Sequence, residues 1–145
     1  MSDKKPVRKS RRATRSLAIQ ALYSWHMTQL PAEELVGEFL DEQNTASVEI
    51  DYFIDLVKGV ILNVGDVDEK FSPYLDIPKE ELTPVELSVL RLATYELMHH
   101  PEIPYKVVIN EALELTKSFG TIEGYKFVNG VLDKAVKVLR PVEVS

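Results

Sequence analysis

The sequence predicts an all-α fold of about seven helices in one domain, and three observations carry that prediction. Apolar residues recur at spacings of three and four from Ser10 onward, the period of helices with one face turned to a core. Sustained alternation of apolar and polar residues, the mark of a half-buried strand, is absent. Thr83-Pro84-Val85-Glu86 reads as a complete helix start. There a Thr N-cap, a Pro at the first helical position and a Glu at the third serve orphan amides and the helix dipole together. A chain of 145 residues buries roughly 68–70% of the surface its unfolded form exposes, enough for a core without staples.

Taken in order, the first helix spans about Ser10 to Leu30 and stops at Pro31, and Glu33 to Leu40 forms a short second one. Gln43 to Ser47 is a polar connection. A third helix over Val48 to Val64 places Phe53, Leu56, Val57, Val60, Ile61 and Val64 on one side, with Gly65 as its C-cap residue. Asp66 with Glu69 reads as a capping-box start for a short helix to Phe71, which Ser72-Pro73 ends. The helix opened at Thr83 continues to His99 with two apolar stripes, Leu87/Leu90/Thr94/Leu97/Met98 and Val85/Val89/Leu92. Being apolar on both sides it is expected at the centre of the fold. Lys106 to Phe119, ended by Gly120, and Tyr125 to Leu139, ended by Pro141, complete the set.

Composition excludes several classes. The absence of cysteine removes disulfide scaffolds, thiolate zinc sites and cysteine nucleophiles. Apolar runs of three or four residues fall far short of the roughly 18 that a membrane span needs, so the chain reads as soluble. A secretory signal is ruled out because Gln20, Trp25 and His26 interrupt the run from Leu17 to Leu30. A mitochondrial transit peptide shares the Arg-rich, acid-poor character of the first thirty residues, and an arm retained on the mature protein would remove that reading. The glycines at 37, 59, 65, 120, 124 and 130 match no phosphate loop or dinucleotide fingerprint, and no serine sits in a nucleophile elbow. His99 and His100 are adjacent and so point about 100° apart on a helix, unable to grip a metal as an i, i+4 pair does. The residues give no basis for catalysis, for a metal or for a cofactor.

The net charge of −6 conceals an asymmetry. The first fifteen residues hold Lys4, Lys5, Arg8, Lys9, Arg11, Arg12 and Arg15 against Asp3 alone, a balance of +6, which leaves 10 basic and 22 acidic side chains, −12, in the remainder. A basic arm, flexible over residues 1–10, on an acidic body points to an anionic partner held at one end. A disordered solubilising tail and a helix lying on anionic lipid are the competing readings of that arm.

Around the first helix, Thr14, Leu17, Ala18, Ala21, Leu22 and Trp25 form the natural core face, and Arg12, Ser16, Ile19, Tyr23 and Met27 lie opposite. Arg12 and Tyr23 fall within about 20° on the wheel and roughly 16 Å apart along the axis. That side passes from cationic to aromatic and apolar. It reads either as phosphate-holding guanidiniums followed by a protein-docking stripe, or as a stripe buried against other helices of the chain. A second surface, Thr121-Ile122-Glu123-Gly124-Tyr125-Lys126-Phe127, offers a turn, a cation and aromatics suited to a nucleic-acid strand. Phe127 reads equally well as core, and Gly130 as a close helix-packing point.

Four strings, RATRSLAIQALYSW at 12–25, LTPVELSVLRLATYEL at 82–97, IPYKVVINEALELTKSFG at 103–120 and KFVNGVLDKA at 126–135, resemble the NusB family of bacterial transcription antitermination factors in order and spacing over nearly the full chain. The resemblance implies an all-α, cytoplasmic, non-enzymatic protein built as two small helical bundles packed across each other. It implies binding of boxA-type single-stranded RNA together with NusE, a small-subunit ribosomal protein, within the RNA polymerase antitermination complex of ribosomal RNA operons, with no membrane partner. Carried over by residue, Arg8, Arg11, Arg12 and Arg15 are expected on RNA phosphates, and Tyr74, Arg91, Lys126 and Phe127 near RNA. Ile19, Tyr23, Met27 and Glu86 are expected against the protein partner. Ile122 and Gly124 stand where polar residues are more usual in the family. The same fold serves as the RNA-binding module of some ribosomal RNA methyltransferases, and a chain ending at Ser145 is expected to leave no room for a catalytic domain.

Overall fold

A helix of sixteen residues, α5 (Pro84–His99), forms the axis of the molecule, with every residue from Leu87 to Leu97 buried. Its start is the capping box read from sequence: the Thr83 hydroxyl accepts from the Glu86 amide at 3.1 Å, and the Glu86 carboxylate accepts from the Thr83 amide at 3.1 Å. Around it the chain runs through α1 (Arg11–Thr28), α2 (Ala32–Leu40), α3 (Ile50–Leu62), α4 (Val64–Phe71), α6 (Tyr105–Phe119), α7 (Ile122–Leu139) and α8 (Pro141–Val144), with 3-10 turns at Gln43–Ser47, Ser72–Tyr74 and Lys79–Glu81. This computed structural model describes residues 8–41, 43–120 and 122–144. The arm over 1–7, with Lys4 and Lys5, and Thr121 lie outside the described residues. No strand occurs among the described residues.

Helices α1, α2 and α3 pack on one another as a first bundle, while α4, α6 and α7 gather around α5 as a second, and α1 and α3 join the two by lying against α5. The core is continuous across that junction: Ile19, Leu22, Leu35, Phe53 and Leu56 from the first bundle meet Phe71, Leu90, Leu92, Leu97 and Leu132 from the second, all essentially inaccessible. Burying a side chain of this size contributes about 1.5–3 kcal/mol relative to leaving it in water.

Several local expectations change. Helix α1 ends at Thr28, ahead of Pro31, because Gln29 adopts a left-handed conformation (φ 57°) and its amide donates back to the Trp25 carbonyl at 2.7 Å. Gly65 is no C-cap: α3 stops at Leu62 and α4 begins at Val64, so Gly65 and Asp66 lie within the first turn of α4, which has no side-chain cap. The Asn63 carbonyl accepts from the Val67 amide at 2.9 Å, which restarts the helix after a single residue. Pro141 opens α8, where its missing amide costs nothing at the first helical position. A Cβ on Gly130 would meet nothing, so that glycine is not a packing point. The close approach is at Gly59, where a Cβ would overlap the ring of Tyr95.

Arg140, itself buried, fastens the far end of the second bundle. Its guanidinium donates to the carbonyls of Leu97 (2.8 Å), His100 (2.9 Å) and Ile103 (3.0 Å) and pairs with Glu143. Glu143 in turn accepts from the Tyr105 amide at 2.8 Å, capping α6, whose own N-cap is Pro104. One side chain thus serves carbonyls at the end of α5 and in the turn after it, and steers the cap of the next helix.

Candidate nucleic-acid interface

The start of α1 is anchored before its arginines are placed. Ser10 caps the helix through its hydroxyl (Ala13 amide, 3.1 Å), its own amide donates to the Ser47 carbonyl at 2.8 Å, and the Thr14 hydroxyl accepts from the Glu49 amide at 2.9 Å. The first turn of α1 is thereby locked to the segment entering α3. Arg11, Arg12 and Arg15 leave this anchored start, each meets a carboxylate, and Arg12 and Arg15 share Glu111.

Arg12 forks onto Glu111 of α6 (Nη2–Oε2 2.7 Å, Nε–Oε2 3.1 Å) with its side chain 59% exposed. That hydrogen bond, with the charge of Glu111 behind it, raises the Arg12 pKa further above its ordinary value. Arg11 pairs with Glu49 at 2.7 Å and lies 3.8 Å over the Tyr52 ring, half exposed. Arg15 is different: its side chain is 3% exposed and it forks onto Glu96, 1% exposed, through contacts of 2.8, 2.9 and 3.1 Å. Burial works to lower the Arg15 pKa, and the hydrogen bonds and charge of Glu96 outweigh it, so the net shift is upward. The Tyr52 hydroxyl donates to the same Glu96 carboxylate. Burial first, then the charge of Glu96, pushes that phenol well above its usual range.

Arg15 therefore departs from the phosphate-holding expectation, because Glu96 consumes its fork inside the core. Arg91 departs in the same way. It is buried on α5 and bidentate to Asp68 (3.0 and 2.9 Å), which also accepts from Lys79 at 3.1 Å, and its guanidinium stands 5.4 Å from the Trp25 ring. Ile19, expected on the exposed stripe, is 1% exposed and belongs to the core. The remaining expected residues reach the surface. Arg8 and Lys126 are exposed, and Tyr74 and Phe127 are half-buried with one edge packed on the core. Arg8, Arg11 and Arg12 cluster at the start of α1, whereas Arg91 meets the Trp25 ring, about 20 Å further along the axis of α1 by the helical rise.

On the protein-partner side, Tyr23 is 41% and Met27 60% exposed. Tyr23 lines an apolar groove of about 470 Å³ with Ile19 at its floor and Gln20, Phe39, Val85 and Phe119 around it. Glu86, half-buried, sits beside Val85 and spends its carboxylate on the α5 cap. The groove draws on α1, α2, α5 and the end of α6, so spacing within one helix gave no view of it. The sequence carries one unused signal, a charge on the apolar helix α5: an acid at 96 and a cation at 91 in a buried segment each require a partner.

Lining the other side of the arginine end, Lys9, Arg11, Glu49, Tyr52, Asp55 and His100 bound an open cleft of about 500 Å³. In it Asp55 accepts from the Tyr95 hydroxyl at 2.8 Å and contacts His100 at 2.6 Å. Burial, then Asp55, raises the Tyr95 phenol well above its usual range. Among the described residues no cluster of histidine and carboxylate groups could hold a metal ion, and no helix is long and apolar enough to cross a membrane.

Comparison with known proteins places this geometry among relatives. The model of the NusB family matches residues 12–137. The transcription antitermination protein NusB of Idiomarina loihiensis is 52% identical over 132 residues, covering 91% of this chain and 95% of that protein. The protein of the same name from Pseudoalteromonas atlantica is 50% identical over 136 residues, covering 94% and 97%. Among solved structures, T. maritima NusB superposes with a TM-score of 0.80 at 33% identity, covering 90% of this chain and 93% of that one. A crystal structure of the antitermination factors NusB and NusE in complex with double-stranded RNA superposes with a TM-score of 0.79 at 27% identity, covering 88% and 96%.

Proposed function

Because the chain belongs to the NusB family, we propose that it is a non-enzymatic transcription antitermination protein of the cytoplasm that holds boxA-type RNA at the start of α1 and NusE along the groove beyond it, so joining an RNA element to the transcribing polymerase complex. The carrying observation is that one helix presents both grips. Exposed guanidiniums of Arg11 and Arg12 stand at its first turn, and the Tyr23 groove opens about three turns later. Guanidinium forks suit phosphate, and an aromatic-edged apolar groove suits a protein side chain.

Arg8, Arg11 and Arg12 supply affinity without base preference, while Tyr74, Lys126 and Phe127 supply stacking and edge contacts on the second bundle. Arg15 and Arg91 act beneath that surface as scaffold. The test is an anisotropy titration with boxA-like, scrambled and duplex RNA, with and without NusE. The expected result is preference for the boxA-like strand that strengthens when NusE is present. Equal weak binding of all three RNAs under both conditions rejects the reading, and preference for the duplex alone moves the ligand to double-stranded RNA. On the partner side, Tyr23→Asp is expected to abolish NusE binding with the fold and the RNA affinity of the arm retained. Ile19→Asp, at the groove floor, is expected to unfold the protein.

A further inference from the structure

Arg11, Arg12 and Arg15 at the start of α1 are each already held by a carboxylate of the same chain. Five cations stand there, Arg8, Lys9, Arg11, Arg12 and Arg15. Facing them are four carboxylates: Glu49 on Arg11, Glu111 on Arg12 at 2.7 Å and on Arg15 at 3.8 Å, Glu96 on Arg15, and Glu114 near enough to raise the Arg12 pKa. These four carboxylates offset four of the five positive charges, and Asp51 and Asp55 line the adjoining cleft with Lys9 and Arg11. The chemistry of these contacts resembles what RNA would offer, since a carboxylate takes the Nε–Nη2 edge of a guanidinium with the bidentate geometry a phosphate uses.

We infer that Glu111, seconded by Glu49, is an affinity-setting residue of the RNA face: a resident phosphate surrogate that incoming RNA must displace from Arg12 or bind against. The inference rests on the RNA-binding reading of this face. Two features separate Glu111 from a scaffold carboxylate. Its partner Arg12 is 59% exposed, so a phosphate can reach the fork, and Arg15 keeps Glu96 when Glu111 is gone, so no buried charge is orphaned. Because the exchange occurs at a guanidinium and touches no base, its cost is the same for every RNA sequence. It lowers base-blind binding and leaves the ratio between sequences to contacts elsewhere.

The experiment is the salt-dependent titration of boxA-like and scrambled RNA with wild type, Glu111→Gln, Glu49→Gln and the double variant Glu111→Gln/Arg12→Ala, each first checked for an unchanged thermal midpoint. Removing the largely buried Glu111 from the exposed Arg12 is expected to tighten both RNAs by about 2–5-fold, on the scale of an exposed ion pair. The log–log salt slope is expected to steepen by at most about 0.7 per guanidinium released. The ratio of the two affinities stays fixed, Glu49→Gln gives a smaller gain because Arg11 also stacks on Tyr52, and Arg12→Ala cancels the gain of Glu111→Gln. Unchanged or weaker binding by folded Glu111→Gln overturns the inference and makes the carboxylate an orienting group for Arg12. Tightening confined to the boxA-like strand also overturns it. Failure of the wild type to bind any RNA removes the underlying reading as well, which the same titration shows directly.

Discussion

Arg12 and Arg15 are three residues apart on one helix, each forks onto a glutamate, and the two pairs do opposite work. Arg15 with Glu96 is enclosed, with 3% and 1% of the side chains exposed, whereas Arg12 with Glu111 stands at the surface. In the enclosed pair neither charge has water to fall back on, so the partners are locked to each other and to the Tyr52 hydroxyl. In the other pair Arg12 is 59% exposed and can exchange its partner for solvent, salt or a phosphate at little cost, while Glu111, 15% exposed, retains a contact with Arg15 at 3.8 Å. Residue types are alike in the two; burial, with the Tyr52 hydroxyl added, turns one pair into scaffold and leaves the Arg12 side of the other available to a ligand.

The largest effect that would break this comparison is on stability. Glu96→Ala strips the buried Arg15 guanidinium of its bidentate partner and leaves it only the more distant Glu111 at 3.8 Å, and urea unfolding is expected to show a loss of about 3–5 kcal/mol. A loss under about 1 kcal/mol, the surface-pair range, would mean that the two pairs are equivalent after all. Next in size is Tyr52→Phe. Glu96 keeps both arms of the Arg15 fork, so the deletion removes one hydrogen bond and leaves no orphan, for an expected loss of about 0.5–1.5 kcal/mol. Arg12→Ala is expected to change stability by less than about 1 kcal/mol while weakening RNA binding and flattening its salt dependence. The smallest effect belongs to Glu143, whose carboxyl is held below its ordinary value of 4.5 chiefly by the Tyr105 amide and then by Arg140. A lowered folded-state value means that this contribution is complete above the unfolded value and disappears as pH falls through the lowered one. Glu143→Gln should therefore make the acid limb of the stability profile shallower, read from thermal midpoints between neutral and strongly acidic pH.

What the sequence made legible was local or periodic. The start of α5 is written in four consecutive residues and its central burial in two apolar stripes, so both appear in the structure as expected. The order of helices followed from the same patterns, and the joining of two bundles from the resemblance to relatives alone. The arginines were legible as a charge cluster, but their fates were not. Arg15 finds Glu96 across 81 positions and Arg12 finds Glu111 across 99, distances over which periodicity is silent. Ile19 and Tyr23 share one wheel sector, yet Phe39, Val85 and Phe119 come close enough to cover the first and only frame the second. Punctuation misled where one residue has two meanings. Pro141 can end a helix or begin one, and Gly65 looked like a cap until Asn63 restarted the chain within a single residue.

The carbonyls at the end of α5 and in the turn after it receive their hydrogen bonds from a guanidinium that lies 37 to 43 positions later in the chain. During synthesis α5 and α6 leave the ribosome well before Arg140 does. Until that residue emerges, the turn between them has water where the finished protein has a cation. The second bundle is thus expected to stay loose through most of translation and to tighten in one late step, with the first bundle already assembled. Released chains that end just before Arg140 and just after Glu143 should differ sharply in protease resistance around Leu97 to Ile103.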